Sequence, residues 1–253
     1  MAVDPSGKFL YSGSESGALA YTIDAVTGAL SLVAGSPFAA PPGGLTPGAV
    51  MCQCVATTTF LYYSDWLGAG SFYIDSFAIN AATGALTSIG PAGPNTCCTN
   101  EIRTTTDAAD RFFFLVADAG LQTYAINGTT GALTNTATTP APVPSTWVGV
   151  VVDPSGSFAY LLDADYTPGL YAFSVDPTSG ALTPLSPATI SAGGSPQQIG
   201  FDLSRKFLYV TSAHPTAVWA YSFDSTTGAL TPVAGNPFMT AFSPNAMVVT
   251  SLH

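Results

Sequence analysis

Apolar side chains along this chain alternate with small or polar ones, or gather in short runs of Phe, Tyr, Val and Leu. Ala217–Asp224 alternates in this way, and Lys206–Thr211 is such a run. No stretch shows the 3.6-residue apolar period of a helix, so the pattern predicts strands throughout. Their spacing is regular. The tripeptide Gly-Ala-Leu recurs at Gly28, Gly84, Gly131, Gly180 and Gly228, at intervals of 56, 47, 49 and 48 residues. A further copy at Gly17 is out of phase and reads as the start of a strand. Periods of about 40–50 residues belong to propeller blades or helical arrays, and the strand pattern selects the first.

The last repeat shows the plan of one blade. Pro196–Asp202 reads as an innermost strand, Lys206–Thr211 as a second, Ala217–Asp224 as a third and Ala229–Val233 as a fourth. Turn chemistry punctuates them. An Asx residue stands four positions before each repeat glycine: Asp24, Asn80, Asn127, Asp176 and Asp224. Its side chain can accept from the next backbone amides, and glycine supplies the positive φ. Asp4-Pro5-Ser6-Gly7 and Asp153-Pro154-Ser155-Gly156 read as turns between first and second strands, with Lys8, Arg111 and Lys206 just after them as solvated edge charges.

The segment Pro244–Thr250 repeats Pro196–Asp202, so the chain is expected to begin just before a second strand and to end with an innermost one. The expected fold is therefore all-β. Residues 1–253 form one five-bladed β-propeller of four-stranded antiparallel blades, closed when the C-terminal strand completes the first blade. Closure would leave only short protected edges.

Composition narrows the functions. Hydrophobic residues make up 47% of the chain and charged ones 8%, which excludes a disordered segment. With a formal charge of -10 and only 5 Lys plus Arg, there is no basic footprint for nucleic acid or for an anionic membrane surface. No apolar run approaches the roughly 18 residues of a membrane span. The Thr/Ser/Gly-rich, Lys-poor balance points to an extracellular or cell-surface location.

Segments such as Val3-Asp4-Pro5-Ser6-Gly7-Lys8-Phe9-Leu10-Tyr11, Phe207-Leu208-Tyr209-Val210-Thr211 and Thr227-Gly228-Ala229-Leu230-Thr231-Pro232-Val233, followed by Gly235-Asn236-Pro237-Phe238, resemble the lactonase-type propellers. That family includes 6-phosphogluconolactonase-like proteins and surface propellers with Tyr-Val-Thr-Asn repeats. The resemblance covers nearly the whole chain and implies the blade architecture and, for its enzymes, lactone hydrolysis. The family's lactonases usually have seven blades and a His-Pro-His-type motif with acidic and Arg partners. Here His214-Pro215 is the one His-Pro.

Candidate chemistry is sparse. Cys52 and Cys54 fall in the innermost strand of the second blade, and Cys97 and Cys98 lead into that of the third. These positions are candidates for disulfides between neighbouring blades in an oxidising compartment. Their spacing suits a four-cysteine metal site poorly, so no metal is assigned to them. Loops between second and third strands carry Glu15, Asp65, Trp66, Asp118, Asp163, Asp165, Tyr166 and His214. These residues are expected to form a ligand-binding face for a protein or carbohydrate, where carboxylates could hold Ca²⁺ and aromatics could stack on sugars. Arg103, near the start of an innermost strand, could bind an anion or pair with Glu101. His214 and Arg103 are the catalytic candidates. The expected function is a non-enzymatic binding and scaffold module, and the alternative is a lactonase-type hydrolase acting on a neutral sugar lactone.

Overall fold

A computed structural model describes residues 1–14, 16–39, 53–66, 71–91, 96–97, 103–117, 120–140, 147–164, 169–202, 204–244 and 247. They form five antiparallel sheets, each built on a path of four strands in chain order. The first sheet holds β1 (Ala2–Val3), β2 (Phe9–Ser14), β3 (Gly17–Ile23) and β4 (Leu30–Leu32). In the second are β5 (Gln53–Ala56), β6 (Phe60–Trp66), β7 (Ser71–Ile79) and β8 (Leu86–Pro91), with β9 (Thr96–Cys97) also paired to β7. The third comprises β10 (Arg103–Thr106), β11 (Phe112–Ala117), β12 (Gly120–Ile126) and β13 (Leu133–Pro140). The fourth comprises β14 (Trp147–Val152), β15 (Phe158–Asp163), β16 (Gly169–Val175) and β17 (Leu182–Ser191). The fifth holds β18 (Gly194–Phe201), β19 (Phe207–His214), β20 (Thr216–Phe223) and β21 (Leu230–Pro232), with β22 (Phe238–Met239) on β20. Repeated four-stranded antiparallel sheets are the blades of a β-propeller. Among the described residues, no helix is long and apolar enough to cross a membrane.

The chain divides into two compact units, residues 1–100 with 125–134, and residues 101–124 with 135–253. The core of the first unit gathers Phe9, Tyr11, Cys54, Leu61, Tyr63, Phe77 and Leu86. Among the described residues of the second, one cluster surrounds Phe112, Phe114, Trp147, Leu161, Tyr171 and Phe173, and another Phe158, Tyr160, Leu170, Leu208, Val210 and Tyr221. The second strands of the third and fourth sheets are covered on both faces: Phe112–Val116 of β11 are all buried, and β15 is buried at every residue. That is why Phe112-Phe113-Phe114-Leu115-Val116 reads as a continuous apolar run rather than an alternation. Fourth strands lie outermost, and β17 alternates down to exposed positions.

The turns follow the sequence grammar. Asp24 Oδ1 accepts from the amides of Val26 at 3.0 Å and Thr27 at 2.7 Å, and Asp176 and Asp224 do the same in their blades. Each repeat glycine then takes a φ of 69–72°. Asp153 Oδ1 accepts from Ser157 and Phe158 and closes the first-to-second turn. Arg111 departs from expectation. It stays partly exposed, but its Nε donates to Asp107 Oδ2 at 2.8 Å and its guanidinium lies 5.4 Å above the Phe112 ring.

The blades are joined by one repeated contact. The phenol of Tyr11 donates to the Gly84 carbonyl at 3.4 Å, Tyr62 to Gly131 at 2.9 Å, and Tyr160 to Gly228 at 2.5 Å. In the third sheet Phe114 stands at the tyrosine position, and Thr123 donates to the Gly180 carbonyl at 3.0 Å instead. A Cβ on Gly84 or Gly228 would lie 2.3 Å from the ring of Phe9 or Phe158. Glycine is required there both for its φ and for the close approach of the next blade.

The ends of the chain correct one expectation. The chain does not begin before a second strand, because β1 pairs with β2 through Ala2↔Tyr11 and Val3↔Leu10 and takes the first position itself. Of Pro244–Thr250, residues 245–246 and 248–250 lie outside the described residues, and the described Pro244 and Met247 are not in strands. Closure of the first blade by this segment therefore falls outside the described structure. Met247 donates its amide to Gln198 Oε1 at 2.8 Å, beside β18.

Candidate functional site

In every blade the start of the first strand pairs with the end of the second. The second unit sets β10, β14 and β18 side by side, so the residues at these starts share one end of the unit. Arg103 opens β10, opposite Val116. Trp147 opens β14, opposite Asp163 at the end of β15. Arg103 Nε donates to the Val148 carbonyl at 2.8 Å and so ties β10 to β14. Asp163 is fully buried and Trp147 nearly so. Tyr171, two residues into β16, meets the Trp147 ring edge-on at 5.5 Å. Burial, with the Asp163 carboxylate adding to it, pushes the Tyr171 phenol up, so it remains a hydrogen-bond donor. Trp147 Nε1 is buried without a partner among the described residues. The Trp147–Tyr171 pair with Asp163 in the fourth sheet, and Arg103 at the start of β10, therefore lie at the same end of the second unit.

This arrangement matches the sequence expectations in part. Asp163 was expected in a solvated loop of the ligand face, whereas it belongs to β15 and is buried. Asp65 and Trp66 extend β6 rather than forming a loop, pairing with Tyr73 and Phe72. Glu15, Asp118, Asp165 and Tyr166 lie outside the described residues, as does Glu101, the expected partner of Arg103. His214 ends β19 opposite Gly194 and is exposed, with a cis bond to Pro215. No carboxylate pairs with it among the described residues. Trp147 and Tyr171 were missed. The signal available was a tryptophan entering an innermost strand, at Ser145-Thr146-Trp147-Val148.

The cysteines are also rearranged. Cys54 is buried on β5, in the first position of its sheet. Cys97, expected to lead into the third blade, is on β9 and pairs with Ser71 of β7, on the far side of β7 from β6. Three strand spacings separate them, roughly 14 Å. A disulfide needs Cα atoms within about 7 Å, so Cys54 and Cys97 are not bridged. Cys52 and Cys98 lie outside the described residues. No group of metal-ligating side chains occurs among the described residues.

A family model described as "Lactonase, 7-bladed beta-propeller" matches residues 104–237, more than half of the chain. The chain belongs to this lactonase family. Its membership overturns the expectation of a non-enzymatic binding and scaffold module. No curated protein sequence matches the chain. Solved structures share the fold. A Lactobacillus plantarum protein is 20% identical, with a TM-score of 0.71 over 96% of this chain and 71% of its own. A candidate 6-phosphogluconolactonase from Bacteroides uniformis is 17% identical, with a TM-score of 0.73 over 97% of this chain and 73% of its own. The periplasmic gluconolactonase of Pseudomonas aeruginosa is 16% identical, with a TM-score of 0.68 over 90% of this chain and 66% of its own.

Proposed function

We propose that the chain is a hydrolase that opens an unphosphorylated sugar lactone at the end of β10 and β14. The observation that carries this is the lactonase family match, which runs through Trp147, Asp163 and Tyr171 and begins one residue after Arg103. Lactone opening is ester hydrolysis. Water adds to the carbonyl carbon, negative charge develops on the carbonyl oxygen, the ring oxygen leaves with a proton, and a hydroxy acid results. Charge development calls for a fixed cation or N–H donor, which Arg103 and the Trp147 indole supply. Asp163 is the base available at this end for the attacking water, and the Tyr171 phenol is the donor for the departing ring oxygen. The substrate class follows from the placement of charge. Lys8, Arg111, Arg205 and Lys206 belong to the turns at the opposite end of their blades, leaving Arg103 as the described cation at this one. A phosphoryl group would call for more than one. The five described sheets further support a five-bladed chain within a family named for seven.

The test compares hydrolysis of gluconolactone and its 6-phosphate by proton release. The unphosphorylated lactone should be opened above the spontaneous rate and preferred. Arg103→Ala should lower kcat/KM on the order of a hundredfold, as loss of one charge-stabilising donor does. Background rates for the wild-type protein on both lactones would sink the proposal.

A further inference from the structure

Three residues other than glycine take a positive φ among the described residues. Asp110 and Arg205 stand where Gly7 and Gly156 stand in other blades, at the close of a first-to-second turn, and their amides donate to the carbonyls of Asp107 and Asp202. Ser195, at φ 59°, has no such turn to explain it. It lies within β18, directly before Pro196. A left-handed backbone is unfavourable for a residue with a Cβ, and a following proline drives its neighbour toward extended conformations. Ser195 is therefore held against two preferences.

The contacts that hold it all lie within the second unit. Gly193 is buried, and a Cβ on it would lie 2.6 Å from Ser212 Oγ and 2.8 Å from Trp219 Nε1. Ser212 is fully buried, and its Oγ donates to the Gly194 carbonyl at 2.9 Å. Trp219 Nε1 is buried without a partner among the described residues, a second cost at the same place. Gln197 Nε2 donates both to the Ser195 carbonyl and to Ser195 Oγ, at 3.2 Å each. The carbonyl fixes the orientation of the amide, because only its nitrogen can donate. The segment is thus pinned from behind by Ser212 and Trp219 and from its own strand by Gln197.

Two hydrogen-bonding groups are left over. Ser195 Oγ accepts from Gln197, so its own hydrogen is free to donate, and it finds no acceptor among the described residues. Gln197 Oε1 finds no donor among them. Both residues are half-buried. They stand at the start of β18, at the end of the unit that carries Trp147 and Asp163. There β18 lies against β14, since a Cβ on Gly149 would lie 2.7 Å from Ile199 Cγ2. Backbone strain concentrates where a side chain must be held for function. One fixed donor beside one fixed acceptor suits a pair of neighbouring hydroxyls, because a hydroxyl both donates and accepts. We infer that Ser195 and Gln197 bind adjacent hydroxyls of the sugar ring, Ser195 donating to one oxygen and Gln197 Oε1 accepting from the other. This rests on the lactone reading of the same end and adds the groups that tell a polyhydroxylated ring from a bare one.

Calorimetric binding of gluconolactam, the ring-amide analogue of gluconolactone, tests this without relying on hydrolysis. The wild-type protein should bind it. Ser195→Ala removes the hydroxyl and keeps the strained Cβ, whereas Ser195→Gly removes both. Each should bind about tenfold more weakly, the size of one neutral hydrogen bond. The glycine variant should nonetheless melt at or above the wild-type temperature, because its strain is relieved. Weaker binding without lower stability is what a merely structural role for Ser195 would not give. Gln197→Leu should weaken binding at least as much, since it removes Oε1 and releases Ser195. Wild-type affinity in both Ser195 variants, or no binding by the wild-type protein, would overturn the inference. Gluconolactone opened at the wild-type rate by those same variants would leave the hydrolase reading standing. Lactam binding that depends on Ser195, with no lactone opened, would remove the hydrolase reading alone.

Discussion

Replacing Tyr160 with Phe removes one oxygen and keeps the ring, so it isolates the hydrogen bond that joins the fourth and fifth blades. Tyr160 is fully buried and its phenol donates to the Gly228 carbonyl at 2.5 Å. The variant loses that bond and leaves a carbonyl in a water-free contact without its donor. A net hydrogen bond contributes about 0.5–1.5 kcal/mol and a stranded buried acceptor costs about 1–3, so a loss of about 1–2 kcal/mol is expected. For a chain of this size that lowers Tm by roughly 2–8 °C. The series carries its own scale. Tyr62→Phe, with its bond at 2.9 Å, should cost about 1 kcal/mol. Tyr11→Phe, with its bond at 3.4 Å, should cost less than about 0.5 kcal/mol. Tyr209→Phe should cost nothing, since the Tyr209 phenol makes no side-chain hydrogen bond among the described residues. Urea unfolding followed by tryptophan fluorescence gives all four values. Equal losses for Tyr160 and Tyr11, or no loss at Tyr160, would refute the idea that these phenols hold the blades together.

Gly228→Ala and Gly28→Ala force the same left-handed backbone but differ in surroundings, since a Cβ at Gly228 strikes the Phe158 ring and one at Gly28 meets nothing. Thermal unfolding should show a loss of about 1 kcal/mol at Gly28 and about 2–4 at Gly228; equal losses would mean that packing is not what requires glycine. Stability should fall in acid. The Asp24, Asp176 and Asp224 carboxyls are held below 3.8, chiefly by the amides of Thr27, Ser179 and Thr226. Their contribution is present above that value and is lost as pH drops through and below it. Replacing all three with Asn, the residue at positions 80 and 127, should flatten that acid limb while leaving stability at pH 7 nearly unchanged. Stability should also fall above about pH 10, because Tyr11, Tyr160 and Tyr221 are pushed up by burial and stay protonated when the unfolded chain ionises. Replacing the exposed His214 with Ala should leave lactone hydrolysis within about twofold of wild type, and a hundredfold loss would return it to the chemistry.

The repeat was legible because its signals are local. An Asx side chain reaching the next two amides, and a glycine four residues on, specify a turn whatever surrounds it, and five such turns fix the blades. The strand ends were less legible. Lys206–Thr211 proves to be Phe207–His214, since alternation does not say where a ladder stops. The chain after each fourth strand was missed for a related reason. Phe38 returns to Ala18, Cys97 to Ser71 and Met239 to Ala217, while in the fourth sheet the far end of β17 itself brings Ser191 to Gly169, so the start of the third strand is capped by residues some 20 positions away. Nothing in Phe238-Met239 or Thr96-Cys97 announces a strand, because such short pairings are decided by the partner.

The site failed to show for the same physical reason at longer range. An Asp at the end of an apolar run reads as the first residue of a loop, and Asp163 was placed on a solvated rim on that ground. What buries it is its register, opposite Trp147 sixteen positions upstream and next to Tyr171 on the following strand. Arg103 was readable as an odd cation on an innermost strand, yet its anchor on the Val148 carbonyl is 45 residues away and carries no side-chain signature at all. A repeat scaffold makes this separation systematic. Residues that define the blade recur and can be read by comparing the chain with itself. Those proposed for the chemistry occur once each: Trp147, Asp163 and Tyr171 come from three strands of one blade, and the side-by-side setting of β10 and β14 adds Arg103 from its neighbour at the same end.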